Sequence, residues 1–401
     1  MLKRQSQWLV IGLSEGKSPA ARRRVLSYKQ TAIAVLLLAA FPLLLTQCIS
    51  PSIEDPFSYP FIKLTHIGRL EGKPFSNYRA FYVLSEDFEP VIHTPEDADE
   101  MRTILRFASD LSEKNGVPWT HFVDVNTLAP AFISDDPGLK LRTTQMIEDL
   151  AQMTGRGDDC ELHLHGGMDS RLIDYMRAKE RLKIKLEGIE TAHVSRQRKS
   201  FFFNSFNRDG YRNTVASLTY GKRLLEDSLY GGKPSVLGFR PGGWDHGGNA
   251  EETFIYFNAL SDAGLAFNSG LSSGVFGGKD WRVGNKPGRN LAAVRVGANT
   301  IFEISPTSGP GGYVNPMLDA DLTKLADSPK DEIRVIVSVF HLSQLQKSAV
   351  ETDESISGPH LEDMRQRLER HFAMVRDLHE KGVLYPITLR ELYALMAANG
   401  S

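Results

Sequence analysis

A few acids, imidazoles and one arginine, far apart in the chain, carry the chemistry this sequence can do. Glu86, Asp87 and Glu89 stand in "SEDFE", His163 and His165 in "ELHLHGG", Arg240 in "GFRPGGW" and His341 in "VFHLS". Carboxylates and imidazoles are ligands for divalent cations and carriers of protons near neutral pH. On a strand, residues i and i+2 point to the same face, so His163 and His165 can aim at one ion. A carboxylate from "SEDFE" would complete a His₂-carboxylate set with an open position for water, the layout of catalytic zinc. A lone buried histidine is more often a hydrogen-bonded core residue. Two at strand spacing, followed by Gly166 and Gly167 and accompanied by an acid cluster, favour the metal. His165 has an alternative partner in Asp169, four residues on. Cys48 and Cys160 form no CxxC pair, so no thiolate zinc knuckle or disulfide framework is available.

These residues need a scaffold that brings distant strand ends together. From Tyr78 onward, strand and helix signals alternate. "YRAFYVLS" is an apolar β-rich run, and "TPEDADEMRTILRFASDLSEKNG" has Thr94 as N-cap, Pro95 in the first turn and Gly116 as stop. "WTHFVDV", "CELHLHG", "SVLGFR", "LAFNSG", "NTIFEIS" and "IRVIVSVFH" read as further strands, with helical segments between several of them. Strands spaced by helices imply a parallel sheet with right-handed crossovers. The expectation is a distorted (β/α) barrel of seven or eight parallel strands over residues 78–398. In such barrels the reactive groups occupy the C-terminal strand ends, where Glu86, Asp87, Glu89, His163, His165, Arg240, Asn268, Glu303 and His341 all fall. Residues 170–210 interrupt the pattern with basic residues and "SFFFNSF". They suit a lid or subsite wall, or an extra helix with a packed Phe cluster. Trp244 and Trp281 stand in glycine-containing loops.

The first fifty residues form a separate region. Residues 1–30 carry seven Lys/Arg against one acid, and Thr31–Leu45 is an uncharged apolar run. That is the layout of a secretory signal or a short membrane anchor over residues 31–49, with the remainder exported to the periplasmic or extracellular side. Residues 51–77, with Pro51, Pro56 and Pro60, read as a linker. A formal charge of −2 argues against nucleic acid as a partner, since binding it calls for a basic face.

The ordered pieces resemble the polysaccharide deacetylase family with NodB homology, carbohydrate esterase family 4, across about residues 78–395. "FYVLSEDFEP" stands where that family's first strand ends in its acidic motif. "LSEKNGVPWTHFVDVNTLA" is similar to its second-strand pattern, "CELHLHGG" to its metal histidines and "GFRPGGW" to its arginine motif. "LSDAGLAFNSGL", "VIVSVFH" and "LHEKGVLYPITLRELYALM" follow in the family's order. The resemblance implies a divalent metal, zinc in most members, held by Asp87, His163 and His165. Asp87, Glu86 or Glu89 would then be base or ligand, with Arg240 orienting the base and His341 acting as acid. The substrate implied is an N- or O-acetylated polysaccharide, with Trp244, Trp281 and Asn268 as substrate-binding residues. The chain departs from the pattern in three places. Its acid pair is Glu86-Asp87 or Asp87 with Glu89, its histidines stand two rather than four apart, and Asn268 replaces an Asp. A second reading is therefore a membrane-tethered carbohydrate-binding protein on a decayed barrel. A third keeps the metal but takes a small amide or cyclic ureide.

Overall fold

The computed structural model describes residues 63–66, 78, 80–165, 167–179, 208–242, 250–270, 290–307, 334–347 and 361–399. Its centre is β2, Ala80–Phe88, every residue of which is buried. Such near-continuous burial belongs to a strand covered on both faces. The following helix, Pro95–Asn115, starts as its sequence requires. The Thr94 hydroxyl accepts from the Asp97 N–H, and the Asp97 carboxylate accepts in turn from the Thr94 N–H. It stops at Gly116, whose φ of 61° is the left-handed conformation that glycine adopts without steric cost.

β3 (Trp119–Asp124), β4 (Asp159–Leu164), β5 (Gly238–Pro241) and β6 (Phe267–Asn268) continue the sheet, joined by β8 (Asn299–Ile304) and β9 (Val335–Phe340). Parallel ladders run β9–β2–β3–β4–β5–β6–β8. β10, Leu384–Pro386, pairs parallel with Ala80–Tyr82, on the edge of β2 that β3 occupies beside Leu84–Phe88. The architecture is thus the expected mostly parallel α/β sheet. No ladder joins β8 to β9 among the described residues. Individual bonds bridge that seam instead: the Thr307 N–H donates to the Val337 carbonyl at 3.0 Å, and Asn290 Nδ2 to the Val335 carbonyl at 3.2 Å. The result is a distorted barrel with an incomplete wall.

The sheet departs from strict strand–helix alternation at one place. β7, Leu291–Val296, runs antiparallel to β8, and the turn between them uses Gly297 at φ 58°. Lys63–His66, within the stretch read as linker, forms β1 and pairs antiparallel with β7 at the sheet's edge. Among the described residues no helix is long and apolar enough to cross a membrane. Residues 1–50, with the expected signal or anchor, lie outside the described residues, as does 180–207 of the expected insertion.

Side-chain alternation divides the apolar residues into two cores. Tyr82, Leu84 and Phe88 join the layer between sheet and helices, with Trp119, Val123, Leu162 and Phe340. Phe81 and Val83 point the other way, into the barrel, with Phe122, Phe267, Ile304, Val335 and Val337. The last helix, Leu389–Asn399, adds Leu389, Leu392 and Met396 to this interior. Below the apolar layer Arg390 pairs with Glu161 at 2.9 Å. Burial, partly offset by Arg390, raises Glu161 to about 7.

Candidate functional site

The phase that puts Val83 inside the barrel also directs Ser85 and Asp87 there, with Glu89 just past the strand end. On β4 the same phase runs through Glu161 and His163, reaching His165 one residue beyond the strand. On β3 it runs through Phe122 to Asp124. Arg240 of β5 and His341, just past β9, complete the rim. All lie at or next to C-terminal strand ends, because the strands are parallel.

Glu89 Oε1 lies 2.5 Å from His163 Nε2 and 2.7 Å from His165 Nε2. The two rings meet edge to face with centroids 5.0 Å apart. The carboxylate that closes the histidine pair is therefore Glu89, where the resemblance had assigned Asp87. The physical reason lies in Asp87's own partners. Its Oδ1 accepts from Arg240 Nη1 at 2.8 Å, and its Oδ2 faces His341 Nε2 at 3.6 Å. Arg240 is fully buried. Its Nη2 donates to Ser85 Oγ and Ser269 Oγ and its Nε to the Ser269 carbonyl, each at 2.9 Å, while its guanidinium stacks 4.0 Å over Phe122. Five donors in a planar fork suit this multiple clamp.

Burial works to raise the Glu89 pKa, but the charges and hydrogen bonds of His163 and His165 overcome it and hold the carboxyl well below its usual range. Burial likewise pulls His163 down, yet Asp87, Glu89 and Asp124 outweigh it and lift the imidazole to about 9. A metal held here would replace the protons on these imidazoles, since histidine ligates in its neutral form. The three donor atoms lie within 4.8 Å of one another. Two imidazole nitrogens and one carboxylate oxygen form a borderline donor set of the kind that holds zinc-class divalent ions. Asp87, Glu89 and His341 form a second set within the same limit, but there Asp87 already holds the Arg240 guanidinium, which a second ion would have to oppose.

Gly242 makes room for the histidines: a Cβ there would overlap the His165 ring. Asn126 holds the turn that follows. Its Nδ2 donates to the Gly167 carbonyl at 2.9 Å, and its Oδ1 accepts from the Asp169 N–H at 2.8 Å. Asp169 itself pairs with Arg171 at 3.2 Å, so the carboxylate bonded to His165 is Glu89 and not Asp169. Beside Glu89 opens a cleft of about 420 Å³, lined among others by Pro90, Ile92, Asn126, Pro130, Asp169 and Arg171.

Three residues read as site candidates, Glu86, Asn268 and Glu303, lie elsewhere. Glu86 has the opposite phase to Asp87. It is fully buried in the helix-facing layer, where it bonds His121 Nδ1. Asn268 is also fully buried. It donates to Glu303 at 2.6 Å and accepts from Tyr256 Oη at 2.5 Å, behind the sheet rather than on the rim. Trp244 and Trp281 lie outside the described residues. One group escaped the sequence reading: Asp124, beside His163 in the β3–β4 register. Burial is the largest cause of its rise to about 6, with His163 pulling the other way. Its position at the end of "WTHFVD", in phase with Thr120 and Phe122, was the available signal.

No protein-family model and no curated protein matches the chain. Solved structures resemble it at low identity. One assigned as a polysaccharide deacetylase from Mycobacterium smegmatis is 14% identical, with 84% of this chain and 96% of that one covered and a TM-score of 0.45. The allantoinase Puue is 11% identical over 85% and 98%, with a TM-score of 0.44. T48 deacetylase with substrate is 11% identical over 80% and 92%, with a TM-score of 0.33. Polysaccharide deacetylases are thus among the structural neighbours. Likeness at these scores carries no argument about chemistry, which has to be read from the site.

Proposed function

We propose that this chain is a metal-dependent hydrolase that removes acetyl groups from an N- or O-acetylated polysaccharide. One observation carries the proposal: Glu89, His163 and His165 meet on the rim where Arg240 clamps Asp87 3.6 Å from His341. Glu89, His163 and His165 would hold the metal, with zinc the ion that the donor set and the sequence resemblance favour. Bound there, a divalent ion supplies Lewis-acid polarisation of the acyl carbonyl and can lower the pKa of water from 15.7 to about 7.

The chain's own residues account for the proton transfers. Arg240 holds Asp87 Oδ1, which fixes Oδ2 toward the reaction space. Asp87 is the base that takes a proton from the attacking water. His341 Nε2 gives a proton to the departing amine or alcohol as the carbonyl–N or carbonyl–O bond breaks. The products are acetate and a free amino or hydroxyl sugar, and the transferred protons balance. Acid–base groups so placed contribute about 10²–10⁴-fold each.

The basic-then-apolar pattern of residues 1–49 supports a place on the periplasmic or extracellular face, hence a glycan of the cell envelope or an exported glycan as substrate. The alternative of a decayed binding protein rested on the altered histidine spacing and on Asn268. Histidines two apart on the rim meet one carboxylate, and Asn268 belongs to the layer behind it, so neither feature favours decay. Full-length protein assayed for acetate release from acetylated glycans, before and after chelation and metal return, tests the proposal. Activity that chelation abolishes and zinc restores is expected. Undiminished activity after exhaustive chelation, or metal-loaded protein that binds glycan without releasing acetate, would refute it.

A further inference from the structure

Glu86 and His121 form an ion pair with no exposed surface, packed among apolar side chains such as Leu84, Phe88, Trp119 and Phe340. The Trp119 and His121 rings stack at 5.7 Å. Burial opposes the charge on His121, but Glu86, aided by Asp158 whose Oδ2 lies 4.0 Å from Nε2, lifts the imidazole to about 9. A buried pair of this kind is often no more stabilising than apolar residues of the same volume, so its presence calls for a use. The second oxygen of Glu86 supplies one. Oε2 accepts from the backbone N–H of Leu342 at 3.3 Å, and Leu342 directly follows His341. That bond crosses from the first barrel strand to the end of β9, where His341 opens the short 3-10 turn Leu342–Leu345. β2 therefore grips both ends of the acid–base pair. Asp87 on its inner face meets the His341 ring, and Glu86 on its outer face holds the backbone that carries that ring.

We propose that the Glu86–His121 pair positions His341 through the Leu342 amide, and that this is why a charged pair occupies the apolar layer. The proposal rests on the hydrolase reading, in which His341 is the proton donor. Glu86 and His121 are buried on the helix-facing side of the sheet, away from Glu89, His163 and His165.

The test replaces the pair by apolar residues together, Glu86→Leu with His121→Phe, so that neither member is left charged without the other, while Asp158 keeps its bonds from the Trp119 N–H and Ser112 Oγ. Glu86→Gln serves as the conservative variant that keeps an oxygen for the Leu342 N–H. The double replacement is expected to keep its thermal midpoint and metal content, to exchange the Leu342 amide hydrogen faster, and to lose about 10- to 100-fold in kcat, the scale of a sub-ångström to ångström misplacement. Glu86→Gln should recover much of that loss. In a His341→Ala background the double replacement should cost nothing further, because both changes act through one group. A double variant with unchanged kcat overturns the proposal, whatever the exchange at Leu342, and so does a loss that adds fully to that of His341→Ala. Inactive wild-type protein would sink the hydrolase reading itself, a result distinct from active wild type with an indifferent pair.

Discussion

Gly242→Ala adds one methyl group to a residue that binds nothing itself, yet it should empty the site of metal. An added Cβ would lie 2.5 Å from Cδ2 of His165 and closer still to Cγ and Nδ1, whereas ordinary contact begins near 3.4 Å. The ring must therefore move by about 1 Å, and misplacement on that scale costs about 100-fold in rate, or about 2.7 kcal/mol. The backbone adds no strain, because Gly242 is not among the described glycines with positive φ. His165 is 38% exposed, so its ring can swing toward solvent and leave the fold intact. Metal content by mass spectrometry, thermal midpoint and acetate release would be measured on the same preparation. The expected outcome is a midpoint like wild type, metal lost on dialysis and kcat/KM reduced by at least about 100-fold. Wild-type metal retention and rate in a folded Gly242→Ala protein would show that His165 is not where the reasoning needs it.

Asp87→Asn and Glu89→Gln separate base from ligand: the first should retain the ion and lose about 10²–10⁴-fold in kcat, while the second should lose the ion, as read by metal analysis; the reverse pattern would exchange the two roles. His371 is buried against Tyr82 Oη, and burial lowers its pKa from 6.5 to about 4. The folded state thus prefers the neutral ring, so its contribution is complete above about pH 6.5 and is lost as pH falls toward 4. At 1.36 kcal/mol per unit this is about 3 kcal/mol, to be seen as a steeper acid loss of urea stability in wild type than in His371→Gln. Arg390→Ala leaves Glu161 with only the Leu237 and Gly238 N–H groups and should lower stability by about 3 kcal/mol in equilibrium denaturation, with part of that cost recovered in the double variant with Glu161→Gln.

Much of the fold was legible because helix signals are local. Thr94, Pro95, Asp97 and Gly116 bracket a helix whatever surrounds it. The strand run "LAAVRV" is absent from the strands read in the sequence, although Gly297 and the alternation around it define a hairpin with "NTIFEI". The rim was legible in outline: Asp87, Glu89, His163, His165, Arg240 and His341 all stand at strand ends in the sequence and meet in the structure. Their division of labour was not legible. β2 is buried on both faces, so Tyr82, Leu84 and Phe88 read no differently from Phe81 and Val83, and nothing local says that Glu86 points to the helices and Asp87 to the barrel. Asn268 shows the same limit, since a two-residue strand has too little alternation to reveal its phase.

Sequence alone determined the order of the central parallel strands, the acids and imidazoles at strand ends and the choice of N- and O-donors over thiolates, because each depends on residue type and near neighbours. Tertiary structure decided that Glu89 rather than Asp87 closes the histidine pair, that Asp87 belongs to Arg240 and His341, that Asp124 stands beside His163, and that Glu86 reaches the site only through a backbone amide. Those assignments turn on which side of a doubly covered strand a residue faces and on which distant strand lies beside it. Both are settled only when the sheet curls and its far-separated ends come within bonding distance.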